Sequence, residues 1–310
     1  MKIVALAGGV GGAKLAHGFS KLLSADEFSV IVNTGDDFNH FGLTICPDID
    51  TVCYTLAEKS NPKTGWGRKN EKFTVIDTLK EFNAPDWFLL GDKDLALHLE
   101  RTRLLGKGES LTDVTLRISR FLGMKHNVLP MTDDRVRTMV ETIEYGFISF
   151  QEYFVKHQFQ PKTSSFRFDG IKKANPTENV TNVLKQADLV VICPSNPYVS
   201  IHPILALPGV REELREKFVI GVSPIICGKA LKGPLGLMLT DQNKSIHPES
   251  VVGMYKDFLN IFIIDQQDNC ENKPHDSSSI IISKADILLP DIRTRINLAK
   301  TIIKLYEKNK

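Results

Sequence analysis

Four glycines fall in five positions at Gly8-Gly9-Val10-Gly11-Gly12, directly after the apolar run Ile3-Val4-Ala5-Leu6-Ala7 and before an amphipathic stretch from Ala13 to Leu23. An apolar segment that enters a glycine turn and opens a helix aims backbone N–H groups and the helix dipole at an anion. Glycine also lets the main chain approach a diphosphate without a Cβ in between. The chemistry implied is phosphate binding, with Gly8, Gly9, Val10, Gly11, Gly12 and Lys14 as candidates. A strand-to-helix turn with no ligand is the plain alternative. The dinucleotide fingerprint fails because Lys14 stands three residues after Gly11, and the Walker pattern fails because no Gly-Lys-Ser/Thr follows.

Carboxylates come next in the chain. The apolar Phe28-Ser29-Val30-Ile31-Val32 ends in Asn33-Thr34-Gly35-Asp36-Asp37, and Asp48 and Asp50 follow within fifteen residues. Strand, turn, helix and strand make a βαβ unit, whose parallel strands put both loops at one sheet edge, where open α/β sheets bind ligands. Carboxylates facing a phosphate cradle suit Mg²⁺, which bridges phosphate oxygens to a few acidic side chains. Asp36, Asp37 and Asp48 are the candidate ligands, and Asn33 and Thr34 are further candidates in the same loop. A solvated turn or a helix cap accounts for Asp36 and Asp37 equally simply. Asp50 with Thr51 behind it reads as a helix start, where an acid serves as N-cap.

Other polar residues sit at turns after apolar segments. Phe88-Leu89-Leu90 gives way to Gly91-Asp92-Lys93-Asp94 and then to a helix marked by Leu95, Leu99 and Leu104 or Leu105. Lys93 there contacts a ligand anion or pairs with a neighbouring aspartate. Thr132-Asp133-Asp134-Arg135 places Arg135 as a substrate-reaching cation, with a surface ion pair as the alternative. Ala187 to Ile192 is a near-continuous apolar strand that ends in Cys193-Pro194-Ser195-Asn196-Pro197, where Ser195 and Asn196 can hydrogen-bond a polar ring or a phosphate. Lys229 and Lys232, among glycines, mark a second anion site or a solvated loop.

Positioning these residues takes a sizeable core. The chain has 310 residues, 42% of them hydrophobic, with 39 Lys plus Arg against 37 Asp plus Glu. That balance carries no field of the kind nucleic-acid binders need, and no apolar run approaches the roughly 20 residues of a membrane span. A cytoplasmic protein without nucleic-acid or membrane partners is expected. Cys46, Cys53, Cys193, Cys227 and Cys270 form no C-x-x-C pair and read as reduced thiols. The βα rhythm breaks between residues 110 and 171, where a helix and three strand-like runs succeed one another. An α/β core of residues 1–109 and 172–310, with a mostly parallel doubly wound sheet, carrying an inserted smaller α+β domain at 110–171, is the economical account.

Taken in order, Ala7-Gly8-Gly9-Val10-Gly11-Gly12-Ala13-Lys14, Asn33-Thr34-Gly35-Asp36-Asp37, Cys46-Pro47-Asp48-Ile49-Asp50-Thr51, Gly91-Asp92-Lys93-Asp94-Leu95, Met131-Thr132-Asp133-Asp134-Arg135-Val136, Pro194-Ser195-Asn196-Pro197 and Ser223-Pro224-Ile225 resemble the 2-phospho-L-lactate transferases of deazaflavin coenzyme F-420 biosynthesis, often called CofD. The resemblance implies a Rossmann-like core with an inserted smaller domain. It also implies transfer of a phospholactyl group from lactyl diphosphoguanosine to the ribityl hydroxyl of a hydroxylated 5-deazariboflavin, with Mg²⁺ and release of GMP. Carried over by motif, Asp50 and Lys93 contact the deazaflavin; Lys93 stands where the family often has arginine. In that reading Asp50 is the catalytic residue, Gly8 to Gly12 and Lys14 hold the donor diphosphate, and Ser195 and Asn196 read guanine. A homodimer is compatible with it. Two other readings stay open at this point: a non-catalytic nucleotide-sugar-binding regulator on the same fold, and a nicotinamide-dependent dehydrogenase. The broken fingerprint and Asn33 at the tip of the second strand argue against the dehydrogenase. The transferred acid is either lactyl or its enol analogue, phosphoenolpyruvyl.

Overall fold

Five runs that are buried along their whole length, IVALA, FSVIV, LVVI, FVIGV after its first residue, and IFIID, have no polar face to offer water. Strands of that kind belong inside a parallel sheet covered on both sides. A computed structural model of the chain, which describes residues 1–231, 233–268 and 280–310, places them there. Lys232 and Cys270 lie outside the described residues.

In chain order, β1 (Ile3–Ala7) leads through Gly8 into α1 (Gly9–Ser20) and β2 (Phe28–Val32). The hairpin β3 (Phe38–His40) and β4 (Leu43–Ile45) precedes α2 (Pro47–Leu56), α3 (Thr74–Glu81), α4 (Asp92–Leu105) and α5 (Leu111–Phe121). After β5 (Asn127–Pro130) come β6 (Arg137–Thr142), β7 (Gly146–Ser149) and β8 (Thr163–Asp169), then α6 (Glu178–Gln186) and β9 (Leu189–Ile192). The rest is α7 (His202–Leu205), α8 (Val210–Arg215), β10 (Phe218–Val222), the short hairpin β11 (Ile225–Ile226) and β12 (Lys229–Ala230), α9 (Leu235–Asp241), α10 (Pro248–Tyr255), β13 (Ile261–Asp265), β14 (Ile281–Ala285) and α11 (Ile292–Asn309).

Seven strands form one sheet in the order β14-β13-β10-β9-β1-β2-β5, and every neighbouring pair is parallel. The expected α/β, Rossmann-like, doubly wound architecture is present. Alternate residues of each strand face opposite sides. Val4, Leu6, Ile31, Val190 and Ile192 enter one core, while Ile3, Ala5, Ala7, Val30, Leu189 and Val191 enter the other with α1, α2, α5 and α11. The chain winds outward from β1 through β2 to β5 and then returns to β9 on the opposite side of β1. Strand order therefore reverses between β1 and β9, the place where doubly wound sheets open a ligand crevice.

Two local readings change. Residues 110–171 divide: β5 is an edge strand of the main sheet, paired with β2, and α5 packs on it, while β6, β7 and β8 form a separate antiparallel sheet. Helix α2 begins at Pro47, not at Thr51, so Asp50 lies inside the helix and caps nothing. Proline at the first helical position fixes φ and gives up an N–H that would have had no partner there. Phe88-Leu89-Leu90, the apolar segment before α4, belongs to no strand. None of the described helices is long and apolar enough to cross a membrane.

The helix that follows the glycine turn is braced from behind by α11. A Cβ at Gly18 would lie 2.3 Å from the carbonyl oxygen of Arg295, and Nη1 of Arg295 is 3.0 Å from His17 Nδ1. Gly18→Ala forces the two backbones apart and should cost about 1–3 kcal/mol in urea unfolding; an unchanged midpoint would show that α11 yields freely. Burial, helped by the charges of Arg295 and Lys21, pushes the His17 pKa from 6.5 down to about 4. The unfolded chain takes up a proton that the folded chain refuses, so stability falls as pH drops from 6.5 towards 4 and is indifferent to this group above 6.5. Unfolding midpoints across that range should decline less steeply in His17→Gln, and identical slopes would remove His17 as the source.

Candidate functional site

At the β1/β9 reversal the glycine turn meets two side chains from elsewhere. The Gly9 N–H donates to Asp48 Oδ1 at 2.7 Å, the Gly8 N–H to Ser195 Oγ at 3.2 Å, and Ser195 Oγ donates back to the Gly8 carbonyl at 2.8 Å. Gly9 has φ of 61°, a backbone conformation that suits glycine. A Cβ at Gly11 would sit 2.2 Å from the Pro194 carbonyl oxygen, and one at Gly12 would sit 2.6 Å from Ser195 Oγ. Close seating of the turn against the 194–200 loop thus explains part of the glycine cluster without any ligand. Val10, Gly11 and Lys14 are half-buried at the start of α1.

Asp48 links this turn to the end of β2. Its Oδ2 accepts from Asn33 Nδ2 at 2.9 Å; the same amide reaches the Val199 carbonyl at 3.1 Å, and Asn33 Oδ1 accepts from the Gly35 N–H at 2.8 Å. The Thr138 N–H donates to the Gly35 carbonyl at 2.6 Å, so the hydrogen-bonded ladder Gly9-Asp48-Asn33-Gly35-Thr138 is continuous.

Asp36, Asp37 and Asp48 are all buried. Burial raises the Asp48 carboxyl to about 6, against the pull of Asn33 and the Gly9 N–H, and raises Asp37 to about 7 against the charge of Arg137. Asp36 is pushed well above the usual carboxylate range, first by burial and then by the charge of Asp48. Oδ1 of Asp36 and Oδ1 of Asp37 have no hydrogen-bond partner. Among the described residues no three His, Cys, Asp or Glu side chains converge as a ready-made metal cluster.

Asp50 points into a buried network on α4. Arg101, the largest fully buried side chain, grips it with both guanidinium ends, Nη1 to Oδ2 at 3.0 Å and Nη2 to Oδ1. His98 Nδ1 lies 3.1 Å from Arg101 Nη1, His98 Nε2 lies 3.5 Å from Asp94, and the Tyr54 hydroxyl donates to Asp94. Sequence reading missed Arg101, His98, Asp94 and Tyr54. The helix marked by Leu95, Leu99 and Leu104 or Leu105 is present, with Leu99 53% exposed and a buried stripe of Leu97, His98, Arg101 and Leu104. The signal was the polar spacing 94, 98, 101, one helical face of four, three residues.

The remaining candidates scatter. Lys93 is exposed at the start of α4, its ammonium on the Asn70 carbonyl at 2.6 Å and its N–H on Glu71 Oε2 at 2.9 Å. Asn196 Oδ1 accepts from the Tyr198 N–H at 2.9 Å, so part of its side chain caps the segment that follows. Lys229 is exposed on β12. Two cavities, of about 300 and 350 Å³, open beside the end of β2, and both are lined by Asp37, Asn39, Arg135 and Arg137. Thr34 lines the first, and Asp36, Phe38 and Thr138 line the second. Neither is lined by the glycine turn. Beside them the rings of Phe38, His40, Trp87 and Phe88 cluster, with Phe38 and Phe88 centroids 4.8 Å apart.

Removing Arg101 leaves the Asp50 charge buried and alone. Arg101→Met should lose about 3–5 kcal/mol in chemical denaturation, and the double variant with Asp50→Asn should recover part of it. Additive losses would mean that the two side chains do not act as a pair.

Known proteins match this chain along nearly its whole length. A Methanosarcina mazei protein named 2-phospho-L-lactate transferase is 33% identical over 304 residues, covering 98% of this chain and all of that one. A Kitasatospora aureofaciens protein named phosphoenolpyruvate transferase is 36% identical over 316 residues, covering 99% and 98%. Among solved structures, a UPF0052 family member from Bacillus halodurans superposes with a TM-score of 0.63 at 12% identity, over 97% of this chain and 98% of that one, a likeness of fold. The profile of the family described as 2-phospho-L-lactate transferase CofD matches residues 3–300, and the chain belongs to that family.

Proposed function

We propose that the protein transfers a phosphorylated three-carbon acid, 2-phospho-L-lactyl or its phosphoenolpyruvyl analogue, from a guanosine diphosphate-type donor to the ribityl hydroxyl of a 7,8-didemethyl-8-hydroxy-5-deazariboflavin, releasing GMP. Relatives matched end to end carry both names. The geometric observation that supports this reading best is the Gly9 N–H on the Asp48 carboxylate, which puts the phosphate-type turn and the acidic loop at one point of the crevice.

Transfer at phosphorus asks an enzyme mainly for positioning and neutralised charge. The amides of the Gly8 to Gly12 turn and Lys14 hold the donor diphosphate at the start of α1, and Ser195 and Asn196 face the guanosine side of the same crevice. Mg²⁺ usually takes only one or two carboxylates and completes its shell with substrate phosphates and water. Asp48 and Asp36, neighbours whose charges disturb each other, with Asp37 beyond them, suit that pattern although they form no cluster of three. When bound, the ion neutralises donor phosphate charge.

Asp50 orients the acceptor hydroxyl. With both its oxygens held by Arg101, the carboxylate is better placed to accept a fixed hydrogen bond than to take a proton away. The cluster of Phe38, His40, Trp87 and Phe88, whose rings meet mostly edge to face, offers apolar faces and edges for a tricyclic ring to pack against. Purified protein given the deazaflavin, each guanosine donor and Mg²⁺ should release GMP, followed by chromatography. Asp50→Asn should weaken acceptor affinity, read by deazaflavin fluorescence, and cost less than the about 100-fold or more in turnover typical of losing a general base. Absence of GMP release with both donors would overturn the transferase reading, and nucleotide binding without deazaflavin binding would favour the regulator.

A further inference from the structure

Arg137 opens β6 beside the end of β2, half-buried, on the wall of both cavities. Its company is poor for a cation: Nη1 donates to the Val136 carbonyl at 2.6 Å, and it forms no ion pair among the described residues. Asp37, which lines both cavities with it, feels its charge without forming an ion pair, and the other carboxylates nearby are engaged elsewhere. Asp169, its register partner on β8, pairs with Arg167; Asp133 accepts from the N–H and hydroxyl of Thr112, and Asp134 accepts from the Asn175 N–H. Exposed Arg135, also without an ion pair among the described residues, lines the same two cavities. A half-buried guanidinium pays for lost hydration and gains little back without an anion.

The cavities adjoin the phosphate turn through contacts already described. From Gly9 the ladder runs to Asp48, Asn33, Gly35 and Thr138, the residue after Arg137. In the walls of the two cavities, the buried Thr34 hydroxyl has no partner among the described residues and the Thr138 hydroxyl faces the Asp36 carboxyl. A nucleotide whose diphosphate lies at the turn would extend its distal group along this ladder. Both names carried by the relatives denote a phosphorylated three-carbon acid with a carboxylate, and about 300 Å³ accommodates such a group. A planar fork of N–H donors matches a carboxylate in two parallel bonds.

We propose that Arg137, with Arg135 at the mouth, is the subsite that binds the carboxylate of the donor's three-carbon acid. The assignment rests on the transferase reading above. It makes Arg137 a specificity-determining residue that separates the acid-bearing donor from GDP.

Calorimetry without the deazaflavin, so that nothing turns over, tests it with two probes: GDP, and the guanosine donor carrying the three-carbon acid. Arg137→Met should weaken the donor by about 10- to 100-fold while GDP stays within about 2-fold, and Arg137→Lys, which keeps the charge but loses the fork, should fall between. Should the methionine variant not fold, the lysine variant carries the same comparison. An unchanged donor affinity overturns the proposal, and so does equal weakening of donor and GDP, which would put Arg137 on a phosphate. Wild-type protein that binds neither probe would sink the transferase reading itself.

Discussion

One hydrogen bond organises the crevice: the Gly9 N–H held by the Asp48 carboxylate. It joins the two βα loops that a parallel sheet places at its carboxyl edge, and it does so where strand order reverses. Through Asn33 it also locks the end of β2 against the 197–201 segment. An anion approaching the Gly9 amide meets a carboxylate already there. Either that carboxylate moves aside or a cation shares it with the incoming phosphate, and a carboxyl whose charged form is disfavoured by burial is suited to both.

Two buried polar systems lie on either side of Asp48, and they differ in how well they are satisfied. Asp50 and Arg101 form a closed pair, backed by His98 and Asp94, with both carboxylate oxygens used. Asp36, Asp37 and Thr34 carry atoms that no group among the described residues meets. Networks that are complete make a site rigid, whereas unmet buried donors and acceptors cost free energy unless a ligand or water completes them. In the first system Arg101 Nε and His98 Nε2 are also unmet among the described residues, but both oxygens of Asp50 are held, which fixes that carboxylate in place; the second leaves carboxylate and hydroxyl atoms free for a ligand.

Much of this was legible in the sequence because burial on both faces writes itself as uninterrupted apolar runs. Ile3 to Ala7, Phe28 to Val32 and Leu189 to Ile192 were readable for that reason. The glycine cluster and Asp48 were visible as residue types in register with those strands. What stayed hidden depended on partners distant in sequence. Arg101 looked like an ordinary helix cation, since nothing local says that Asp50 waits 51 residues earlier. The start of α2 was misplaced because Asp50 is a good capping residue by type, while Pro47 outranked it by fixing the backbone first. β5 was assigned to an insertion because pairing with β2 leaves no mark on four residues.

The contact between α1 and α11 joins residues 278 positions apart in the chain. During synthesis the amino-terminal turn therefore leaves the ribosome long before the helix that backs it. Nascent chains must hold an incomplete nucleotide crevice, its first helix packed on one side only, until α11 emerges. Such distant pairing slows folding relative to local contacts, and it ties the maturation of the crevice to the emergence of α11.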